Sequence, residues 1–392
     1  MSVAGVRIRP AWLTVTAWSA MFGFGIVMAL LGAILPLISV RVHFDLAEAG
    51  NLFLSMNGAM LVTSLALGPV VDRFGLRPPL VAAPLFVCAA LAIIARTGAY
   101  PALIGAVLLL GIGGGALNQA SNTLIADLHE DALRKSAALN LLGVFFGVGA
   151  LFVPFTIGAL LETLGFGGIL GVAIALSLVP AALGLALEFP PPRQHAGVSA
   201  TDVLRLAREP LVIALSLLLF FESGNEFIIG GYLSSYVTRD LHATIAAASL
   251  LLAGYWAALM LARVILSRLL LRASGDMLIA ASAVGVAGSV ILLLAARSVP
   301  LAAVAAVLLG FSIAAIFPTT LGIAGARYPS HSGTVFGILI GLALSGGMVL
   351  PWTAGRIGSS AGLRAGLGIA VADAAAIFGL LLVSRKFRRA NA

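Results

Sequence analysis

Apolar runs of membrane-spanning length recur from one end of this chain to the other, and no other feature constrains its fold as much. A helix rises 1.5 Å per residue, so about 20 apolar residues cross the hydrocarbon core. On that ruler about twelve runs are long enough, centred on residues 12–40, 47–71, 79–96, 101–126, 135–161, 166–188, 210–238, 244–271, 276–296, 300–325, 333–357 and 363–384. Of the 392 residues 61% are hydrophobic and 10% charged, against about 45–50% and about 25% in soluble domains. An all-α membrane protein of twelve transmembrane helices is expected. Arg7 and Arg9 ahead of an apolar stretch imitate a signal peptide. That stretch runs from Ala11 to about Val40, too long for a signal's apolar core, which predicts a retained first span.

The only long polar segment, Glu188 to Glu209, separates the sixth run from the seventh. It holds Pro190-Pro191-Pro192-Arg193-Gln194-His195 and an amphipathic Asp202-Val203-Leu204-Arg205-Leu206. It divides the chain into a six-helix bundle at 1–189, a cytoplasmic linker at 190–208 and a second six-helix bundle at 209–392. The halves look like copies. Pro154-Phe155-Thr156-Ile157-Gly158 recurs as Pro351-Trp352-Thr353-Ala354-Gly355, 197 residues later, and Gly68 to Gly75 has a degraded echo at Ser267 to Ser274, displaced by 199. Two matches at nearly one offset imply an internal duplication, and parallel repeats with a site near the midplane are a recurring transporter architecture.

The formal charge of +8 sits in short loops, as membrane topology requires, and does not point to nucleic acid. With a cytoplasmic N-terminus that side receives Arg7, Arg9, Arg73, Arg77, Arg134, Lys135, Arg193, Arg205, Arg208, Arg268, Arg272, Arg327, Arg385, Lys386, Arg388 and Arg389. The other side receives Arg41, Arg96, Arg239, Arg297, Arg356 and Arg364. Both termini are therefore expected in the cytoplasm, and the protein in a cell (inner) membrane. A single cysteine, Cys88, excludes an intramolecular disulfide. The five histidines fall in expected loops without a second ligand, so no metal site is read. Gly111-Ile112-Gly113-Gly114-Gly115 lies inside an apolar run without a strand before it or a Lys-Ser/Thr after it. It is helix packing rather than a phosphate loop, and no cofactor is implied.

Polar groups inside the runs are the functional candidates, because each costs at least a few kcal/mol to insert. The seventh run carries Glu222, Asn225 and Glu226. The two glutamates are four apart and share a helical face, with Asn225 beside them. Burial disfavours a charged carboxylate, so Glu226, and Glu222 one turn nearer the cytoplasm, are candidates to load and release a proton, and the pair can share one. An ionised glutamate also accepts two hydroxyls of a solute. The structural alternative for Glu226 is an ion pair or interhelical hydrogen bond, with Arg263 or Asn118. Asn118, Gln119 and Asn122 form an amide cluster in the fourth run, offering the donors and acceptors a polyol needs. Asn140 and Asn57 are further polar positions. Tyr255, Trp256 and Trp352 can stack on a sugar's apolar face, although aromatics at that depth more often pack. Arg263 is assigned to a cytoplasmic charge network, and Asp373 stands alone in the last run.

Gly68-Pro69-Val70-Val71-Asp72-Arg73-Phe74-Gly75-Leu76-Arg77 resembles the loop signature Gly-x-x-x-Asp-Arg/Lys-x-Gly-x-Arg/Lys of the major facilitator superfamily. The resemblance implies two pseudo-symmetric six-helix bundles. It also implies a cytoplasmic latch of Gly68, Asp72, Arg73, Gly75 and Arg77 that stabilises the outward-facing state, with Gly68 allowing close helix approach and Gly75 a tight turn. The first, fourth, seventh and tenth helices would line the cavity, bringing the Asn118 face toward that of Glu226. Within the superfamily the chain resembles the fucose:proton symporter family. The segments are Leu30 to Pro36, Asp45 to Gly50, Gly113 to Asn122, Ala138 to Leu151, Gly224 to Tyr236 and Phe317 to Thr320. Where fucose permease carries membrane carboxylates in its first and fourth spans, this chain has Gly32 and Asn118. Any proton coupling then falls to Glu226 and Glu222.

The function these readings imply is proton-coupled symport of a sugar or similar small polar solute, with sodium as the other coupling ion left open. The partners are the solute, the proton and the lipid bilayer, with the protein acting as a monomer. The alternative on the same fold is a proton-coupled exporter of drugs or metabolites, although Gly147 to Pro154 only loosely matches an antiporter signature. A sensor would need an output domain and an enzyme a catalytic cluster, and the sequence shows neither.

Overall fold

The computed structural model describes residues 10–129, 131–190, 200–269 and 274–390. Arg7, Arg9, Arg193 with the rest of Pro191–His195, and Arg272 lie outside the described residues. Two compact units group by contact: Met1–His43 with Ser55–His195, and Phe44–Leu54 with Ala196–Ala392.

The first unit contains α1 (Pro10–Val42), most of α2 (Leu46–Phe74), α3 (Arg77–Arg96), α4 (Tyr100–Leu128), α5 (Ala132–Ser177) and α6 (Val179–Ala186). Local chemistry sets the helix ends. Asp131 caps α5 by accepting the Arg134 N–H at 2.9 Å. Asp45 and Glu48 open α2 as a reciprocal capping box, with bonds of 2.8 and 3.0 Å. Gly75, at φ +78°, closes α2 with its N–H on the Val71 carbonyl at 2.8 Å. The fifth and sixth expected spans are joined in α5, whose helical geometry fails at Gly165, with φ 66° and ψ 168°. A left-handed corner at a residue without Cβ turns the chain there, and α6 completes the sixth crossing. Helix α1 packs along α5 and α4, and α3 against α4, α5 and α6.

The second unit adds α7 (Ala200–Ala207), α8 (Pro210–Asp240), α9 (Ile245–Leu269), α10 (Gly275–Ala295), α11 (Val299–Ile313), α12 (Ile316–Arg327), α13 (Ser332–Ala361) and α14 (Leu363–Ala390). The amphipathic segment expected within the linker is α7, which buries Leu206 and exposes Leu204. The tenth expected span is two helices, α11 and α12, interrupted at Ala314–Ala315. Pro318 explains the break, because its ring lacks an N–H and collides with the carbonyl four residues earlier, that of Ala314. Helix α8 is the spine, flanked by α13 and α14, while α9 packs on α11 and α10 on α11 and α14. Among the described residues eleven helical segments are long and apolar enough to cross a membrane, the Gly165 corner dividing one of them.

Each unit is closed by the same pair of glycine contacts. A Cβ on Gly149 of α5 would strike the Phe22 carbonyl of α1, and one on Gly346 of α13 would strike the Phe220 carbonyl of α8. The spacings are 346 − 149 = 197 and 220 − 22 = 198. Likewise Gly111 of α4 sits on the Met56 carbonyl of α2, and Gly310 of α11 on the Tyr255 carbonyl of α9, with 310 − 111 and 255 − 56 both equal to 199. Membrane helices gain most from such small-residue approaches, since lipid provides no hydrophobic drive between them. The recurrence at 197–199 residues gives the duplication a structural counterpart. The echo of the Gly68 loop at Ser267 to Ser274 falls largely outside the described residues. Gly68 does not serve the close approach expected of it: a Cβ there meets no atom within 4 Å among the described residues.

Candidate functional site

The second unit concentrates charge on the adjoining faces of α8 and α9. Glu222 and Glu226 project one turn apart from α8, as their spacing predicts. Arg263 of α9 reaches Glu226, Nη2 to Oε2, at 3.6 Å, with side chains 32% and 12% exposed respectively. This is the ion pair named as the structural alternative for Glu226, and it corrects the assignment of Arg263 to a cytoplasmic charge network. Side chains on a helix lean toward its N-terminus, so the long stem carries the guanidinium back along α9 toward Glu226.

Glu222 is 1% exposed, and neither of its oxygens has a hydrogen-bond partner among the described residues. Tyr255 is fully buried on α9, and its hydroxyl is likewise without a hydrogen bond among the described residues. Glu222, Glu226, Arg263 and Tyr255 lie within one another's electrostatic field. Beside them Trp256 stands edge-on to Tyr255 at 5.3 Å between ring centroids. The bare α8 backbone at Gly230 admits its indole, where a Cβ would stand 3.1 Å from Cζ2. The arrangement is one ion pair, a second carboxyl without donors, a phenol and an indole. It sets two carboxyls beside one guanidinium, with Tyr255 and Trp256 both buried on α9.

Other expected solute contacts are placed elsewhere. Asn225 is buried against α14, where Nδ2 donates to the Ala370 carbonyl at 3.2 Å, binding helix to helix. Trp352 donates from Nε1 to Asn51 Oδ1 at 3.0 Å, with the Arg356 guanidinium 4.7 Å above its ring. It belongs to a tie between α13 and the first turns of α2, residues 44–54, which group with the second unit. In the same tie Ser359 donates to Asp45 at 2.9 Å, and Phe53 lies 5.3 Å from the Tyr232 ring. Asp45 sits outside the span. The Glu48 backbone N–H holds its carboxyl below the usual aspartate range; the Ser359 hydroxyl adds to this and burial opposes it.

In the first unit Asn122 donates from Nδ2 to both the carbonyl and the side-chain oxygen of Asn118, each at 2.9 Å. Both are half-buried on one face of α4. Gln119 is exposed on another face, and Asn140 is exposed on α5, so neither adjoins that pair. Asn57 is fully buried on α2. Asp373, in α14, is 3% exposed, and its Oδ2 has no hydrogen bond among the described residues.

Of the expected latch, Arg77 donates to the Gly184 and Leu185 carbonyls at 3.1 and 2.9 Å, capping the end of α6. Arg73 lies 5.2 Å from the Phe74 ring, and Asp72 is half-buried. Motif spacing did not reveal one charge cluster of the second unit. There Asp276, in the first turn of α10, receives Arg385 Nε at 3.0 Å and Arg388 from the end of α14.

Six apolar crossings repeated with the same internal contacts, and an ion pair set inside them, define a polytopic solute transporter. The family model described as the Major Facilitator Superfamily matches residues 17–221, and the chain belongs to that superfamily. It is a transporter and not an enzyme. Curated protein sequences contain no match. Among solved structures the chain is similar to a point mutant of the nucleoside transporter NupG, at 15% identity and TM-score 0.76, covering 96% of this chain and 99% of that one. It is also similar to a point mutant of the E. coli fucose:proton symporter FucP, at 17% and 0.66, covering 95% and 98%. A bacterial homologue of the human lysosomal transporter Spinster, in an inward-facing and unoccupied conformation, gives 14% and 0.76, covering 97% of each chain. At these identities the likeness is one of fold, and it extends to the fucose symporter as the sequence segments suggested.

Proposed function

We propose that this protein is a secondary active transporter that moves a sugar or similar small polar solute across the inner membrane by alternating access, coupled to protons. The observation that carries the reading is the Glu226–Arg263 ion pair with Glu222 one turn away. A charged pair inside apolar helices is costly to keep, and breaking it by protonating the carboxylate changes the charge the interior must hold. Glu226 is assigned the coupling proton, with Glu222 as its partner in titration. Tyr255 and Trp256 of the second unit are assigned to the solute. The fucose:proton symporter among the similar folds supports proton coupling, and the nucleoside transporter supports a polar solute. The arginine distribution supports cytoplasmic termini. The protein works as a monomer in this reading.

Uptake of labelled solutes into proteoliposomes, with and without an inward proton gradient, tests it. Gradient-driven accumulation lost in Glu226→Gln is expected. Accumulation that follows a sodium gradient and ignores the proton gradient would replace the proton by sodium. Drug extrusion without any uptake would favour the exporter of the same fold.

A further inference from the structure

A buried acid on α14 has no part in the cluster described above. We infer that Asp373 is a proton-binding site of its own. Its carboxyl is held protonated and gives its hydrogen to the Asn225 amide oxygen, joining α14 to α8 as an acid–amide pair. This stands apart from the coupling proposed at Glu226.

Placement comes first. Asn225 is fully buried on α8, and its Nδ2 donates to the Ala370 carbonyl of α14 at 3.2 Å. Asp373 lies three residues beyond Ala370 and is buried as that residue is. At this spacing a helical side chain rises beside the earlier carbonyl. Ser384 shows it further along α14, where the hydroxyl donates to the Leu381 carbonyl at 2.8 Å. The amide of Asn225 and the carboxyl of Asp373 are therefore set around one carbonyl oxygen.

Without a proton the hydrogen-bonding groups there do not balance. Asn225 Oδ1 and Asp373 Oδ2 are both buried, and both lack a donor among the described residues. Turning the amide over would set its oxygen against the Ala370 carbonyl, so the Nδ2 bond fixes its orientation. An ionised carboxylate only accepts, and it would leave both oxygens without a donor. A protonated carboxyl has an O–H to give, and Asn225 Oδ1 is the acceptor beside it. One proton then satisfies both helices. Because Asn225 stands between Glu222 and Glu226 in α8, the pair also holds that helix where it carries the two glutamates.

No cation among the described residues stands near enough to hold a carboxylate there instead, and no charged group acts on Asp373. The closest cations on α14 are Arg364 and Arg385, about 14 and 18 Å away along the axis. Arg364 faces Asp240 at 3.8 Å and Arg385 faces Asp276 at 3.0 Å, while Lys386, Arg388 and Arg389 follow in sequence. Of the helices packed along α14, α10 carries only Asp276, and α13 only Arg356, which lies over the Trp352 ring. Helix α8 carries Glu222 and Glu226, which share their field with Arg263, and Arg239 and Asp240 at its end. Its Tyr232 and Tyr236 hydroxyls donate to the Pro351 and Leu293 carbonyls. A carboxylate left alone in an apolar span is too costly to keep, and the group takes a proton instead.

Infrared spectra of the purified, reconstituted protein at neutral pH test this. Subtracting Asp373→Asn from wild type should leave the carbonyl band of a protonated carboxyl, shifted in heavy water and absent from the variant. Asn225→Ala should move that band to higher frequency, as its hydrogen bond is lost. Wild-type protein isotopically labelled at its aspartate carboxyl carbons needs no variant. There an acid band should shift on labelling, since Asp373 is the only buried aspartate among the described residues. A label that moves no acid band, or carboxylate bands in its place, would overturn the inference. An acid band unmoved in Asn225→Ala would overturn the pairing that defines the site. If sodium chloride raises the unfolding temperature of wild type over choline chloride, but not that of Asp373→Asn, a bound cation replaces the proton and the inference is overturned.

Discussion

The two units share a packing scheme and differ in the chemistry hung on it. In register with the paired glycine contacts, Glu222 and Glu226 of α8 correspond to Phe24 and Met28 of α1, 198 residues earlier. Tyr255 and Arg263 of α9 correspond to Met56 and Ser64 of α2, 199 residues earlier. The amides run the other way: Asn118 and Asn122 of α4 correspond to Phe317 and Leu321. Backbone approach through glycine is thus kept in both copies, while carboxylates and guanidinium are confined to the second and the amide pair to the first. Packing is what a duplicated bundle must preserve to fold. The polar positions are where the copies were free to diverge.

The largest effects should come from the shared feature. Gly149→Ala and Gly346→Ala each force a Cβ onto a helix carbonyl, so each should cost about 2–3 kcal/mol as overpacking. The measurement is thermal unfolding in detergent. Gly143→Ala and Gly288→Ala, where a Cβ meets open space, should change stability by under about 1 kcal/mol, toward stabilisation. A large cost in one unit alone would break the likeness of the copies.

Next come changes that give the second copy the residues of the first. Glu226→Met should abolish transport and cost about 1–2 kcal/mol, a buried-pair penalty reduced because Arg263 is 32% exposed. Arg263→Ser should also abolish transport. The double variant should recover about 1 kcal/mol relative to the sum of the singles, without recovering transport. Additive costs in that cycle would mean that the pair does not couple.

Trp352→Phe likewise installs the counterpart, Phe155. It removes the 3.0 Å bond to Asn51 and should cost about 1 kcal/mol in unfolding.

The smallest effect concerns Asp45. Its folded carboxyl lies below the ordinary aspartate value, so its contribution is full above that value and is lost as pH falls through the folded one. Unfolding temperature should therefore be insensitive to Asp45→Asn in pH dependence near neutrality. A small difference in slope should open only in the acid range below the ordinary value.

Much of the fold was legible because length and hydropathy bear directly on a membrane crossing. The duplication was legible from Pro154 and Pro351. The break at Ala314–Ala315 was not read, although Pro318 lies four residues beyond its start. Glu222 and Glu226 could be picked out because a carboxylate in an apolar run is rare. The same rule marks Arg263, since no other charge lies between Ile245 and Ile265, and its pairing with Glu226 was the structural alternative read for that glutamate. Its sequence position near the end of α9 suggested the cytoplasm, and the length of its side chain overrode that. Asn225 and Gln119 were grouped with their neighbours by proximity in sequence. A step of one residue turns a helical side chain about 100°, enough to send Asn225 to α14 and Gln119 outward.

The most direct test of the central claim follows protons rather than solute. Addition of a transported solute to proteoliposomes in weakly buffered medium should raise the external pH as protons enter, and the same addition to Glu226→Gln should leave it unchanged. An undiminished pH rise with Glu226→Gln would contradict the assignment of the coupling proton to the Glu226–Arg263 pair.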